Sequence, residues 1–183
     1  MADVHQVHPQ AGKQGIADRM MRAASLNVDL YEEVEADETA TGQAAMVVAI
    51  VAVASAIGNI NAGVGAIIGG LLAAFIGWLI WSGITYLIGD KLLGGTATWG
   101  ELLRTLGYAQ SPGVLYALGI IPLLGGVIRF AVAIWILIAG IIAIRQALDF
   151  STGKAIATAL LGWLALVAVG IATALLVGVR LPT

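Results

Sequence analysis

The sequence predicts an all-α integral membrane protein: a bundle of five transmembrane helices with a kinked third span and a short amino-terminal interfacial helix. Three observations predict it. Two stretches without a charged residue, 39–89 and 155–179, are too long and too apolar for a soluble domain to bury. The chain is 60% hydrophobic and 11% charged, a balance that belongs to membrane proteins. A third apolar region, 105–144, is interrupted by Ser111-Pro112-Gly113 and by a turn starting at Pro122, so it is two segments and not one.

Residues 1–15 read as a disordered tail, polar and without apolar periodicity. His5 and His8 within it read as solvated, because a short flexible tail supplies no further metal ligands. Residues 16–41 read as a cytoplasmic interfacial helix followed by an acidic segment, and 42–183 as the five-span membrane domain. In 16–26, Ile16, Met20, Ala23 and Ala24 fall near one face, with Asp18, Arg19 and Arg22 opposite or flanking it. Such a helix lies in the membrane interface or docks on the bundle as an ordinary amphipathic helix. Asp29, Glu32, Glu33, Glu35, Asp37 and Glu38 then put six carboxylates into ten residues without a base. Anionic headgroups repel that charge. The segment is therefore expected to stand against the cytoplasmic loops as a lid, with Glu32, Glu33 or Glu35 near Arg104, Arg145 or Lys154. Exposed ion pairs contribute little, so the docking would rest mainly on Leu30 and Tyr31.

The first charge-free stretch has 51 residues, roughly 75 Å as a helix. A hydrocarbon core is about 30 Å thick, so the stretch crosses twice and turns at Gly58-Asn59-Ile60-Asn61-Ala62-Gly63. Residues 90–104 form a polar connection with Gly94-Gly95 as a breaker. Thr98 and Glu101 have the spacing of a capping box, and Trp99 suits the headgroup level. Residues 105–121 form the third span, which Pro112 kinks by removing a backbone donor. In lipid such a break survives only where protein or water satisfies the freed carbonyl. Residues 127–144 and 155–179 are the last two spans, with Arg129 near enough to one end to snorkel.

Five spans and a cytoplasmic amino terminus put Lys13, Arg19, Arg22, Lys91, Arg104, Arg145 and Lys154 inside, and Arg129 and Arg180 outside. That 7:2 ratio obeys the positive-inside rule. A re-entrant hairpin over 105–126 would move Arg145 and Lys154 outside and Arg129 and Arg180 inside, with the same ratio. The charges alone leave four spans plus a hairpin as the alternative.

Other classes are excluded by composition. With no cysteine, the chain has no disulfide framework, thiolate nucleophile or thiolate metal site. A net charge of −2 argues against nucleic acid. The polar first forty residues carry no secretory signal, and neither end carries a lipidation signal. Gly63-Val64-Gly65 lacks the third glycine and the preceding strand of a dinucleotide site; no Walker motif, His-Glu metal helix or nucleophile elbow occurs. No catalytic residue, metal or cofactor is expected. The scarcity of ionisable groups at membrane depth counts against an ion-coupled pump but leaves a passive pore or a lipid site open. Small residues, including Gly65 and Gly69 in a GxxxG and Gly162 and Gly170 in the last span, suit close helix packing. Packing within one bundle accounts for them; a homo-oligomer face is the sharper claim.

Two segments resemble a known family. Asp29-Leu30-Tyr31 resembles the start of the Asp-Leu-Tyr-Gly-Pro element of the Yip family, the Ypt/Rab-GTPase-interacting membrane proteins. Gly107-Tyr108-Ala109-Gln110-Ser111-Pro112 resembles that family's Gly-Tyr-x-x-x-Pro element at the third span. The resemblance covers roughly residues 26–179. Glu32-Glu33 stand where the family has Gly-Pro, which looks like its prokaryotic branch. The resemblance implies a five-span, multi-pass membrane protein with a cytoplasmic amino terminus, in the cell inner membrane of a prokaryote. It implies a role in membrane organisation, with membrane lipids, a membrane protein or a GTPase-like protein bound at the cytoplasmic face. Asp29, Leu30, Tyr31, Gly107, Tyr108 and Pro112 are then the candidate contact or lid residues. The rival expectation is a transporter or channel for a small molecule, an ion or a lipid, with its path at the Pro112 break.

Overall fold

A computed structural model describes the backbone of residues 15–176 and the side chains of 15–171. The tail with His5, His8 and Lys13, and the region of Arg180, lie outside the described residues. Helices α1 (Ile16–Ala24) and α2 (Val28–Ala36) precede α3 (Ala40–Gly58), α4 (Val64–Tyr86), α5 (Trp99–Ala109), α6 (Gly125–Ala147) and α7 (Thr152–Leu176). A 3-10 turn, Ile60–Ala62, joins α3 to α4, a π-helical turn, Leu87–Leu92, extends α4, and a 3-10 run, Ser111–Ile120, continues α5. The described residues contain no strand.

Four helices are long and apolar enough to cross a membrane: Ala40–Gly58, Val64–Leu92, Gly125–Ala147 and Thr152–Ile171. The third apolar segment is not one helix but α5 and the 3-10 run in series. Its two parts follow α3 in register. A Cβ on Gly107 would meet Ala44, one on Gly113 would meet Val51, and Gly58 lies against Tyr116 and Gly119. The same segment packs on α6, where Ile136 lies near Gly113 and the Arg129 side chain near Gly119. Together α5 and the run would extend about 36 Å if coaxial.

The connections sort to two ends. At one end, Thr96 donates to Asp149 at 2.8 Å and the Lys154 ammonium to the Leu93 carbonyl at 3.3 Å. Gly89 and Gly95 both abut Leu148, where a Cβ would collide with its side chain. The α4–α5 and α6–α7 connections therefore share this end, here the capped end. The α3–α4 turn and the turn before α6 lie at the other, where Arg129 donates to the Gly58 carbonyl at 2.7 Å.

Local signals act as read. Thr98 Oγ1 accepts from the Glu101 N–H and Glu101 Oε2 from the Thr98 N–H, at 3.3 and 2.7 Å, closing the capping box. Helices α1 and α6 end on leucine and aspartate instead of glycine. Leu26 and Asp149 have φ of 60° and 53°, and the 5→2 and 6→1 bonds of each C-terminal cap are made (Leu26 to Ala23, Asn27 to Arg22; Asp149 to Gln146, Phe150 to Arg145).

The glycines divide. Gly162 lets α7 approach α4, since a Cβ there would sit 3.2 Å from the Trp81 ring. Gly65, Gly69 and Gly170 have open space where a Cβ would be. Packing within the chain thus uses Gly162 and Gly107 and not the GxxxG. The first part of α4 stands at the bundle's edge, and among the described residues nothing lies within 4 Å of a Cβ on Gly65 or Gly69.

Candidate functional site

The site is built where α2 covers the capped end and α1 runs from it down the side of the bundle, as far as Trp135 of α6. Asn27 starts α2 by accepting from the Leu30 N–H at 3.0 Å, meeting one of the orphan donors of a helix start. One face of α2, Leu30, Tyr31 and Val34, is then fully buried in the main core. The Tyr31 hydroxyl donates to the Ala23 carbonyl of α1 at 3.2 Å, and burial pushes its pKa well above the ordinary phenol range. Asp29, in the first turn of α2, is exposed and stands apart from the other five candidates.

Two arginines clamp α2. Arg19 on α1, only 9% exposed, donates to Glu33 (3.0 Å), Asp37 (2.9 Å) and Gln43 (3.1 Å). Arg22 adds a 2.6 Å bond to the other Glu33 oxygen. From the opposite side, buried Arg104 of α5 donates through Nε to the Val34 carbonyl at 2.9 Å and through Nη2 to the Glu35 carbonyl. These are carbonyls of the last turn of α2, which have no partner inside the helix. A cation there also favours the negative end of the helix dipole.

Of the expected lid pairings, Glu35 lies beside Arg104, which donates to its backbone carbonyl and acts on its carboxyl through charge. Glu33 instead pairs with α1, Arg145 bonds Gln146 and Lys154 bonds the Leu93 carbonyl. Glu32 meets the loop end only through the Gln146 amide, at 2.8 Å. Arg19 is also corrected: it shares the buried face of α1 with Ala23 one turn on. Helix α1 docks on the bundle, packed on α2, α3, α5 and the 3-10 run, and Trp135 of α6 donates to its Ala24 carbonyl at 2.8 Å.

The Gly-Tyr element lies directly beneath. A Cβ on Gly107 would approach the Ala44 Cβ to 2.8 Å, so only glycine permits the α3–α5 crossing as it stands. Tyr108 is fully buried, and its hydroxyl donates to Gln43 at 2.7 Å. Pro112, also buried, has no N–H to give the Tyr108 carbonyl four residues back. The Ser111 hydroxyl donates to that carbonyl at 2.6 Å and a backbone N–H at the α5 cap bonds it as well, so the break is satisfied locally.

The carboxylates of α2 differ. Burial first, then the nearby charges of Glu101, Asp149 and Glu32, push Glu35 up to about 7 against the opposing pull of Arg104. Asp37 is held below its ordinary range, first by the Thr39 hydroxyl, and also by Arg19, against some desolvation. Among the described residues no group of His, Cys, Asp or Glu is arranged to hold a metal ion.

Sequence reasoning missed Arg19, Gln43 and the backbone role of Arg104. Gln43 carried the only available signal: an amide within the first turn of an apolar span needs a partner.

An all-helical bundle with four membrane-length apolar helices and a docked amphipathic pair defines a multi-pass membrane protein. The chain belongs to the Yip1 family: the family's Yip1 domain matches residues 29–174. The match begins at Asp29 of the Asp-Leu-Tyr element and takes in the Gly-Tyr element. No curated protein and no solved structure matches the chain.

Proposed function

We propose that the chain acts in membrane organisation as a non-enzymatic assembly protein, crossing the membrane five times with its amino terminus and capped end cytoplasmic. The fifth crossing is α5 with the 3-10 run. Its support is the register of that segment with α3 and the shared end of the α4–α5 and α6–α7 connections. In a prokaryote the location is the cell inner membrane. The family supports a protein partner, GTPase-like or membrane-bound, or lipid headgroups at the capped end.

The observation that carries this reading is the clamping of α2. Arg19, Arg22 and Arg104 hold the helix from two sides, and Leu30 and Tyr31 are buried beneath it. Their part is to fix the lid, and the contact surface is its outward acidic face with Asp29, Glu32 and Glu38, all exposed. Partner purification from membranes in gentle detergent, with the proteins and lipids identified by mass spectrometry, tests it. Reversing Asp29, Glu32 and Glu38 to Lys should release a specific partner while the protein stays folded. Unchanged recovery of every partner would remove the acidic face from the reading.

A second reading, passage of a small molecule, an ion or a lipid at the Pro112 break, draws on the cavities that flank Gln110. Flux into vesicles containing the purified protein would favour it.

A further inference from the structure

Two cavities meet at the end of α5. One of about 420 Å³ lies between α3, α4 and the 3-10 run, and one of about 450 Å³ between α4, α5, α6 and α7. Gln110 and Ala74 stand in the walls of both. The first cavity holds the polar groups Ser55, Asn59, Gln110 and Tyr116 among alanine, glycine and aliphatic residues. Asn59 commits its Nδ2 to the Ser55 carbonyl at 2.8 Å. The Ser55 hydroxyl, the Asn59 side-chain oxygen, the Gln110 amide and the Tyr116 hydroxyl have no hydrogen-bond partner among the described residues. These four line one space: Asn59 is exposed in the α3–α4 turn and Ser55, Gln110 and Tyr116 are half-buried, so the cavity opens towards that turn. The fully buried polar atoms without a partner among the described residues, Ser82 Oγ and Thr85 Oγ1, lie outside it.

We propose that this cavity binds an uncharged glycerolipid of the diacylglycerol type, independently of any partner at the capped end. The donor and acceptor set fits it. The Gln110 amide and the Tyr116 hydroxyl donate to ester carbonyls, and the Asn59 oxygen accepts from the free glycerol hydroxyl. The lining carries no acidic or basic side chain, so an amine would find no carboxylate there, and Arg129, outside the lining, already donates to the Gly58 carbonyl at 2.7 Å. Access is lateral, because the α4 wall belongs to the least buried span, 6% buried over its apolar window. The volume falls in the range of small-molecule sites, about 300–1,000 Å³. It takes the glycerol backbone and the first methylenes, and leaves the rest of the chains in the bilayer.

The test is photolabelling of the full chain in vesicles, using photoactivatable diacylglycerol and photoactivatable phosphatidylglycerol as separate probes. The diacylglycerol probe should crosslink to peptides of residues 51–62 and 66–74 and be displaced by unlabelled diacylglycerol. Gly70→Phe projects into this cavity from a position with open space around it, and Gly140→Phe does so in the second cavity. The first should lower labelling about tenfold and the second should not, which controls for folding. Gln110→Leu with Tyr116→Phe should also cost about tenfold, the scale of a lost hydrogen bond or two. Equal labelling by both probes, crosslinks elsewhere, or labelling indifferent to both Gly70→Phe and the double variant would overturn the proposal. So would absence of labelling with Tyr116 open to hydroxyl-radical oxidation, the mark of a cavity that holds water.

Discussion

The hydroxyl of Tyr108 and the guanidinium of Arg19 share one acceptor, the side-chain oxygen of Gln43, at 2.7 and 3.1 Å. Through that atom the third apolar segment is tied to the amphipathic helix that covers it. Arg19 carries the link on to Glu33 and Asp37, so α1, α2, α3 and α5 meet in one part-buried network. Removing one member leaves the others desolvated and partly unpaired.

Tyr108→Phe should therefore lower the melting temperature in detergent, by the equivalent of about 0.5–1.5 kcal/mol for one buried hydrogen bond. Arg19→Met should cost more, about 1.5–3 kcal/mol, because its bonds are to charged groups. Equal melting curves for Tyr108→Phe and the parent chain would show that Gln43 is held by Arg19 alone.

Gly107 and Gly65 should respond in opposite ways. Gly107→Ala places a methyl group 2.8 Å from Ala44 and should cost about 1–3 kcal/mol by overpacking. A Cβ on Gly65 has open space among the described residues, so Gly65→Leu should leave the monomer's stability unchanged. If Gly65→Leu also abolished chemical crosslinking between copies, the GxxxG would act in a homo-oligomer.

Ser111→Ala should destabilise the bundle by about 0.5–1.5 kcal/mol, since it removes one of the hydrogen bonds to the Tyr108 carbonyl and leaves that from a backbone N–H of the helix cap. Pro112→Ala restores a backbone N–H to the same carbonyl. The double variant should then recover part of the loss, and a thermal-stability cycle measures the coupling. Strictly additive effects would mean that the two residues do not serve one carbonyl.

Glu35 gives a pH dependence of definite sign. Its folded pKa, about 7, lies above the ordinary value of 4.5, so folding favours the neutral acid. That stabilisation is complete below about pH 4.5 and is lost as pH rises through 7. Melting temperature should fall between pH 5.5 and 8 and Glu35→Gln should flatten the fall. The effect is small, because the group is partly solvated. Asp37, held low, acts in the opposite sense and only under stronger acid, where its protonation releases Arg19. Parallel pH profiles for Glu35→Gln and the parent chain would exclude Glu35 as the source.

Topology can be read directly, because the chain has no cysteine. Thr96→Cys and Ser151→Cys should react with an impermeant maleimide from one side of the membrane. Asn61→Cys and Leu123→Cys, both at exposed positions, should react from the other. Labelling of Thr96→Cys and Ser151→Cys from opposite sides would replace the fifth crossing with a re-entrant hairpin.

The sequence by itself determined the four membrane-length apolar helices, their turns and the change of helix type beside Pro112 in the remaining apolar segment. Those properties are local: transfer of an apolar run, the φ of a turn, the donor that proline lacks. It also determined the Thr98–Glu101 cap and, through the Asp-Leu-Tyr and Gly-Tyr elements, the family. Only the tertiary structure decided that Gly107 packs and Gly65 does not, although each is a glycine on an apolar helix. A small residue is useful only at the point where two axes cross, and that point depends on every other contact. Arg19 followed the same logic. Its place on α1 looked like part of a solvated flank until α2 and α3 supplied Glu33, Asp37 and Gln43 from as far as 24 residues away. A buried cation is tolerable only when such partners are assembled around it, and sequence periodicity carries no record of partners on other helices.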